Sequence, residues 1–120
     1  MGNHIHIVWH TIHPHIEEEV QRDFLRFTAQ MMIKEMRSSD PGLLETFKVD
    51  ARDRKYQVWE RNSLTVPLRT EAVVEQKINY IHNNPVRAGI CHIAEDYKYS
   101  SASYYETGVD AFGFMMHYKD

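Results

Sequence analysis

Along the run from His4 to Ile12, Ile5, Ile7 and Trp9 alternate with His4, His6 and Val8. This period of two, in a segment rich in β-branched and aromatic residues, predicts a strand. His13-Pro14-His15 breaks the run. Two other segments carry a helical period instead. From Ile16 to about Arg37, apolar Ile16, Val20, Phe24, Phe27 and Met31 recur at steps of three and four, and Glu17, Glu18 and Glu19 suit the positive end of a helix. Ser38-Ser39-Asp40-Pro41-Gly42 closes that helix, and a short helical turn through Leu43, Leu44 and Phe47 follows. Thr70 is placed to cap a second helix from Glu71 to about Asn83, with Val73, Val74, Ile78 and Ile81 on its apolar face. Pro85 is expected to end it, because proline disfavours helical geometry at Asn84 and donates no hydrogen bond, and Val86-Arg87-Ala88-Gly89 then reads as a turn. Lys55 to Glu60 is a second strand candidate, and Ser100 to Glu106 a short helix in the tyrosine-bearing tail. Strands and helices in one chain make the expected class α+β.

A chain of 120 residues supports one core, so the expectation is a single domain over 1–120. No run approaches the length of apolar sequence that spans a membrane. The N-terminus lacks the basic-then-apolar order of a signal peptide. Cys91 stands alone, which excludes a disulfide framework and a cysteine zinc site. A cytoplasmic protein is the plain reading.

The net charge of −3 argues weakly against a nucleic-acid partner. Its distribution softens the argument. Between Lys48 and Arg87 there are eight basic residues against five acidic ones, a local excess of three that could line a phosphate path or be only a solvated mixed surface.

Two groups of residues can carry chemistry. On a strand, His4 and His6 project from one face and can share a metal ion, since imidazole binds Mn, Fe, Zn, Ni or Cu well and Mg less readily. Read without context, surface or partly buried histidines with no ligand role are the plainer reading. Tyr80 and Asn84 stand four apart, one above the other on a helix, where they can offer a phenolic nucleophile and an amide oxygen. On spacing alone, a tyrosine at a core boundary and an asparagine capping the helix before proline explain them better. A phenol ionises near pH 10 unaided, so a nucleophilic tyrosine needs a metal or a base.

Asn3-His4-Ile5-His6, then Trp59-Glu60-Arg61, then Tyr80-Ile81-His82-Asn83-Asn84-Pro85-Val86-Arg87-Ala88-Gly89, and last Tyr97-Lys98-Tyr99-Ser100-Ser101-Ala102, together resemble the transposases associated with repetitive extragenic palindromes. These are a branch of the single-tyrosine HUH transposases. The resemblance spans nearly the whole chain, and its most specific part is the Asn-Pro-Val-Arg-Ala-Gly block.

The resemblance implies a ferredoxin-like fold, an antiparallel sheet with helices on one face. It implies that His4, His6 and Asn84 hold a divalent ion, Mg or Mn, and that Tyr80 is the nucleophile. The implied activity is cleavage and joining of single-stranded, hairpin-forming DNA through a 5′-phosphotyrosine link, that is, DNA transposition. The alternative is a catalytically inactive remnant that still binds the hairpin. Arg54, Lys55, Arg61 and Arg87 are candidates for phosphate contacts, and Trp59 or Tyr56 for base stacking. The family reads Met-Pro-Asn-His where this chain has Met1-Gly2-Asn3-His4, and carries about fifty residues before that point, within the range of an ordinary domain. The chain is therefore expected to be truncated relative to the family and its sheet incomplete at the N-terminus. Its histidine strand would then seek a second copy, giving a homodimer or an assembly with exchanged elements.

Overall fold

The computed structural model describes residues 1–120. Four α-helices follow in order: α1 (Glu17–Ser39), α2 (Pro41–Glu45), α3 (Glu71–Arg87) and α4 (Ala102–Thr107), with a 3-10 turn at Ala94–Asp96. Helices account for 45% of the chain and there is no sheet. The expected α+β, ferredoxin-like architecture is thereby overturned. His4 to Ile12 has no regular secondary structure, and of the run Lys55–Glu60 only Tyr56 pairs, in an isolated antiparallel bridge with Lys48. The reason is physical. Alternation tells that side chains suit a pleated surface, whereas a strand exists only when its backbone groups find a partner ladder. These two short runs do not pair with each other.

The chain gathers into two compact units, one formed by Met1–Val8 with Val66–Asp120 and the other by Trp9–Thr65. In the second unit, α1 begins with its three glutamates in the first turn and ends where Asp40 caps α2, accepting from the Leu43 N–H at 3.0 Å. Proline at the first position of α2 costs nothing, since that N–H has no partner in any helix. Trp9 meets the Phe24 ring edge-on at 6.0 Å, and the Trp59 indole N–H donates to the Thr28 hydroxyl at 2.9 Å. Leu44 is the buried apolar residue here, and α1 itself buries none along its length.

The first unit is organised by α3. Thr70 caps it as expected, its hydroxyl accepting from the Val73 N–H at 3.3 Å. Pro85 does not end it. The helix runs on to Arg87 and stops at Gly89, whose φ of +71° is a left-handed conformation that suits glycine. There the Ile90 N–H donates to the Pro85 carbonyl at 2.9 Å and the Gly89 N–H to the Val86 carbonyl at 3.0 Å, the paired bonds of a Schellman close. Proline forfeits one backbone bond, yet its ring is buried together with Ile78 and His82. That burial and the glycine cap outweigh the local penalty and move the helix end about one turn onward. Ala102, at the start of α4, adds the other buried contact of this unit. No helix is long and apolar enough to cross a membrane.

Candidate active site

Ile78, His82 and Pro85 define the buried face of α3 at steps of four and three. Tyr80, Asn84 and Arg87 repeat those steps two residues later, about 200° further round the helix. The folding of α3 therefore turns its polar trio away from the core. Tyr80 is 46% exposed, and Asn84 is half-buried one turn beyond. The Arg87 guanidinium lies 5.2 Å from the centre of the Tyr80 ring, a cation over the aromatic face.

The N-terminal segment brings the histidines to this face. The His6 ring meets the Tyr80 ring edge-on, with centroids 6.3 Å apart, and the His4 ring lies 5.2 Å from that of His6. Met1 anchors the segment by donating from its amino nitrogen to the Tyr97 hydroxyl at 2.9 Å. Three of the four residues singled out for catalysis, His4, His6 and Tyr80, thus meet without a sheet to carry them. Asn84 shares the face by helical register.

The chemistry of the pair suits a metal ion. His4 Nδ1 lies 2.7 Å from the Asn3 side-chain oxygen, which can only accept, so Nδ1 is the donor of that bond and Nε2 is left for another partner. Loss of hydration, then the neighbouring His4 and the N-terminal ammonium, hold the His6 ring below the usual imidazole range. His6 is therefore neutral at physiological pH, the form that coordinates. No group of three or more His, Cys, Asp or Glu side chains is arranged to hold a metal. The two imidazoles lie with ring centroids 5.2 Å apart, and imidazole nitrogen is a better donor to Mn than to Mg.

The remaining sequence candidates fall in the other unit, apart from Arg87. Arg54 is engaged by Asp53, with Nη2 2.6 Å from the carboxylate, and this bond holds the Asp53 carboxyl below its usual range. The Lys55 ammonium sits 5.4 Å from the Tyr56 ring centre, and the Tyr56 hydroxyl donates to Glu45 at 3.3 Å. Trp59 is held against α1 by its bond to Thr28. Lys55 and Arg61 are exposed and make no ion pair. As stacking residues, Trp59 and Tyr56 are already committed to packing within their own unit.

Sequence reasoning overlooked His82 and Ser101. His82 is buried, its Nε2 is 2.8 Å from the Ser101 hydroxyl, and its ring meets Tyr105 edge-on at 5.1 Å. Burial pushes its pKa down, opposed by the nearby Glu95. A polar cavity of about 440 Å³ opens beside it, lined by Asn79, Asn83, His92, Glu95 and Tyr105 among others. The available signal was the buried register of α3, which places His82 in line with Ile78 and Pro85. Compared with known proteins, the chain matches no family model, no curated protein and no solved structure.

Proposed function

We propose that this chain is a metal-dependent enzyme of the single-tyrosine HUH type, which cuts and rejoins single-stranded DNA with Tyr80 as nucleophile. The observation that supports this reading is the meeting of His6 and Tyr80, from opposite parts of the sequence, with rings 6.3 Å apart on the solvent side of α3. Tyr80 lies outside the buried row of its helix, Ile78, His82 and Pro85.

In this reading the Tyr80 oxygen attacks the scissile phosphorus. The phenolic O–P bond forms and the bond from phosphorus to the 3′ oxygen breaks. The phenolic proton is lost to a base or solvent, and the departing oxygen is protonated to a free 3′ hydroxyl, leaving a 5′-phosphotyrosine. A different 3′ hydroxyl reverses the step and joins strands, so no external energy source is required. His4, His6 and Asn84 are the residues to hold a divalent ion, Mg or Mn, whose contribution is Lewis-acid neutralisation of a non-bridging phosphate oxygen. Arg87, beside the Tyr80 ring, positions both the ring and the phosphate.

The test is a labelled single-stranded hairpin oligonucleotide incubated with Mn and resolved on a denaturing gel. A protein–DNA adduct in the wild type that is absent in Tyr80→Phe supports the reading. An adduct that survives this change moves the nucleophile to another tyrosine. A specific observation favours a second reading, a hairpin-binding remnant without cleavage. The segment carrying His4 and His6 is held by no ladder, whereas catalysis needs ligands fixed to a fraction of an ångström. Oligonucleotide binding without any adduct would select it.

We further propose that the chain self-associates. Ile5, Ile7, Phe27, Met31 and Met32 are among the apolar residues left open. A second copy is the partner always present at the concentration of the first.

A further inference from the structure

Tyr99 is 70% exposed, so its ring adds little to any core, yet the turn that carries it is tied down on both sides. On one side Tyr97 meets it edge-on at 6.1 Å, and the Tyr97 hydroxyl accepts from Met1. On the other side the Ser100 hydroxyl accepts from the Ala102 N–H at 3.1 Å, tying the turn to the start of α4. The Ser101 hydroxyl is bonded to His82 of α3. The Lys98 ammonium stands 5.5 Å from the Tyr99 ring centre. An exposed aromatic ring, carried on a turn tied from both sides and paired with a cation, is an arrangement that can take an unpaired nucleobase and its phosphate. A base within a duplex has both faces covered by its neighbours, so only a single strand can use it.

The position also fits. Tyr99 lies two residues before Ser101 and Tyr80 two before His82, and the 2.8 Å bond between His82 and Ser101 joins the two elements. Backbone and side-chain reach then keep the rings of Tyr80 and Tyr99 within about 30 Å of each other. From Met1, anchored at Tyr97, five residues lead to His6 beside Tyr80, a path of at most about 18 Å. One strand of a few nucleotides can touch both ends.

We propose that Tyr99 and Lys98 form a nucleobase-stacking subsite for the single strand whose phosphate reaches Tyr80. This rests on the DNA-cleaving reading above. It replaces Trp59 and Tyr56, the stacking candidates of the sequence, with an aromatic that is free to stack.

The experiment uses the full chain and single-stranded oligonucleotides carrying one 2-aminopurine, moved base by base along the strand. Stacking quenches this base, so the wild type should show quenching at one preferred position. Tyr99→Ala should bind about ten-fold more weakly and lose that quenching, while Tyr99→Phe keeps both, because stacking needs the ring and not the hydroxyl. Lys98→Ala should flatten the dependence of log affinity on log salt by about 0.7, the loss of one phosphate contact on a single strand. The annealed duplex should bind wild type and Tyr99→Ala alike. If Tyr99→Ala binds and quenches as the wild type does while the Tyr80 adduct still forms, the subsite is wrong and the cleaving reading stands. If the wild type neither binds the strand nor forms an adduct, both fall together.

Discussion

The Arg87 guanidinium lies over the Tyr80 ring at 5.2 Å, seven residues further along the same helix. Seven residues are close to two turns, so regular geometry stacks the two side chains on one stripe. The stripe continues past Pro85 only because the helix does. Had α3 ended at Asn84, Arg87 would have left that stripe.

Removing Arg87 should therefore affect the reaction more than the fold. An exposed cation over a ring contributes about 0.5–1 kcal/mol. Arg87→Ala should lower stability by no more than that, while adduct formation falls about ten-fold, the size of one lost charge-assisted contact. Arg87→Lys should recover part of the rate, since the charge returns without the planar fork. Single-turnover adduct kinetics beside a urea melt separate the two effects. Equal activity of Arg87→Ala and wild type would remove Arg87 from the site.

Metal binding should depend on both histidines. Calorimetry should record Mn binding to the wild type and a loss of about ten-fold or more with His6→Ala, within the range that metal-site changes produce. Since the His6 pKa lies below the ordinary value, the ring stays neutral as pH falls past that value, and Mn affinity should persist to lower pH than for a free imidazole. Wild type and His6→Ala binding Mn equally would exclude the pair as ligands.

His82 ties stability to pH. Its folded pKa is pushed below the unfolded value of 6.5, so the unfolded chain binds a proton more readily than the native one. Stability is then full above that value and falls as pH drops through it, levelling off below the folded pKa. Denaturant midpoints at pH 7.5 and about pH 5 should differ in this direction, and His82→Gln should shrink the difference. Ser101→Ala, which leaves the ring nitrogen without its partner, should cost about 1–3 kcal/mol. No change in midpoint on replacing Ser101 would mean that this bond contributes nothing.

Gly89 tests the helix close. Open space surrounds the position of a Cβ there, so Gly89→Ala meets no clash and pays only for the left-handed backbone, about 1–2 kcal/mol. The thermal midpoint should fall by several degrees. A variant as stable as the wild type would show that the glycine cap is dispensable.

Self-association is read by light scattering across a dilution series. The mass should exceed that of one chain at micromolar concentration, and Phe27→Glu, on an exposed site of α1, should shift it toward the monomer. A compact monomer at every concentration would overturn the proposal.

The sequence by itself determined the helices, because a helix bonds to itself. The apolar steps from Ile16 to Met31, the glutamates at the start of α1 and the Thr70 cap are local facts, and each has its counterpart in the fold. The four-residue step from Tyr80 to Asn84 was equally legible. Tertiary structure decided what depends on distant partners. The alternation from His4 to Ile12 suits a strand, but no ladder is present for it to join, and the sheet that both alternation and resemblance implied is absent. Pro85 argues locally for an end that its burial with Ile78 and His82, and the cap at Gly89, postpone. The meeting of His6 with Tyr80, the bond from His82 to Ser101, and the packing that occupies Trp59 while leaving Tyr99 open are long-range. Periodicity counts neighbours along the chain, and those contacts lie across it.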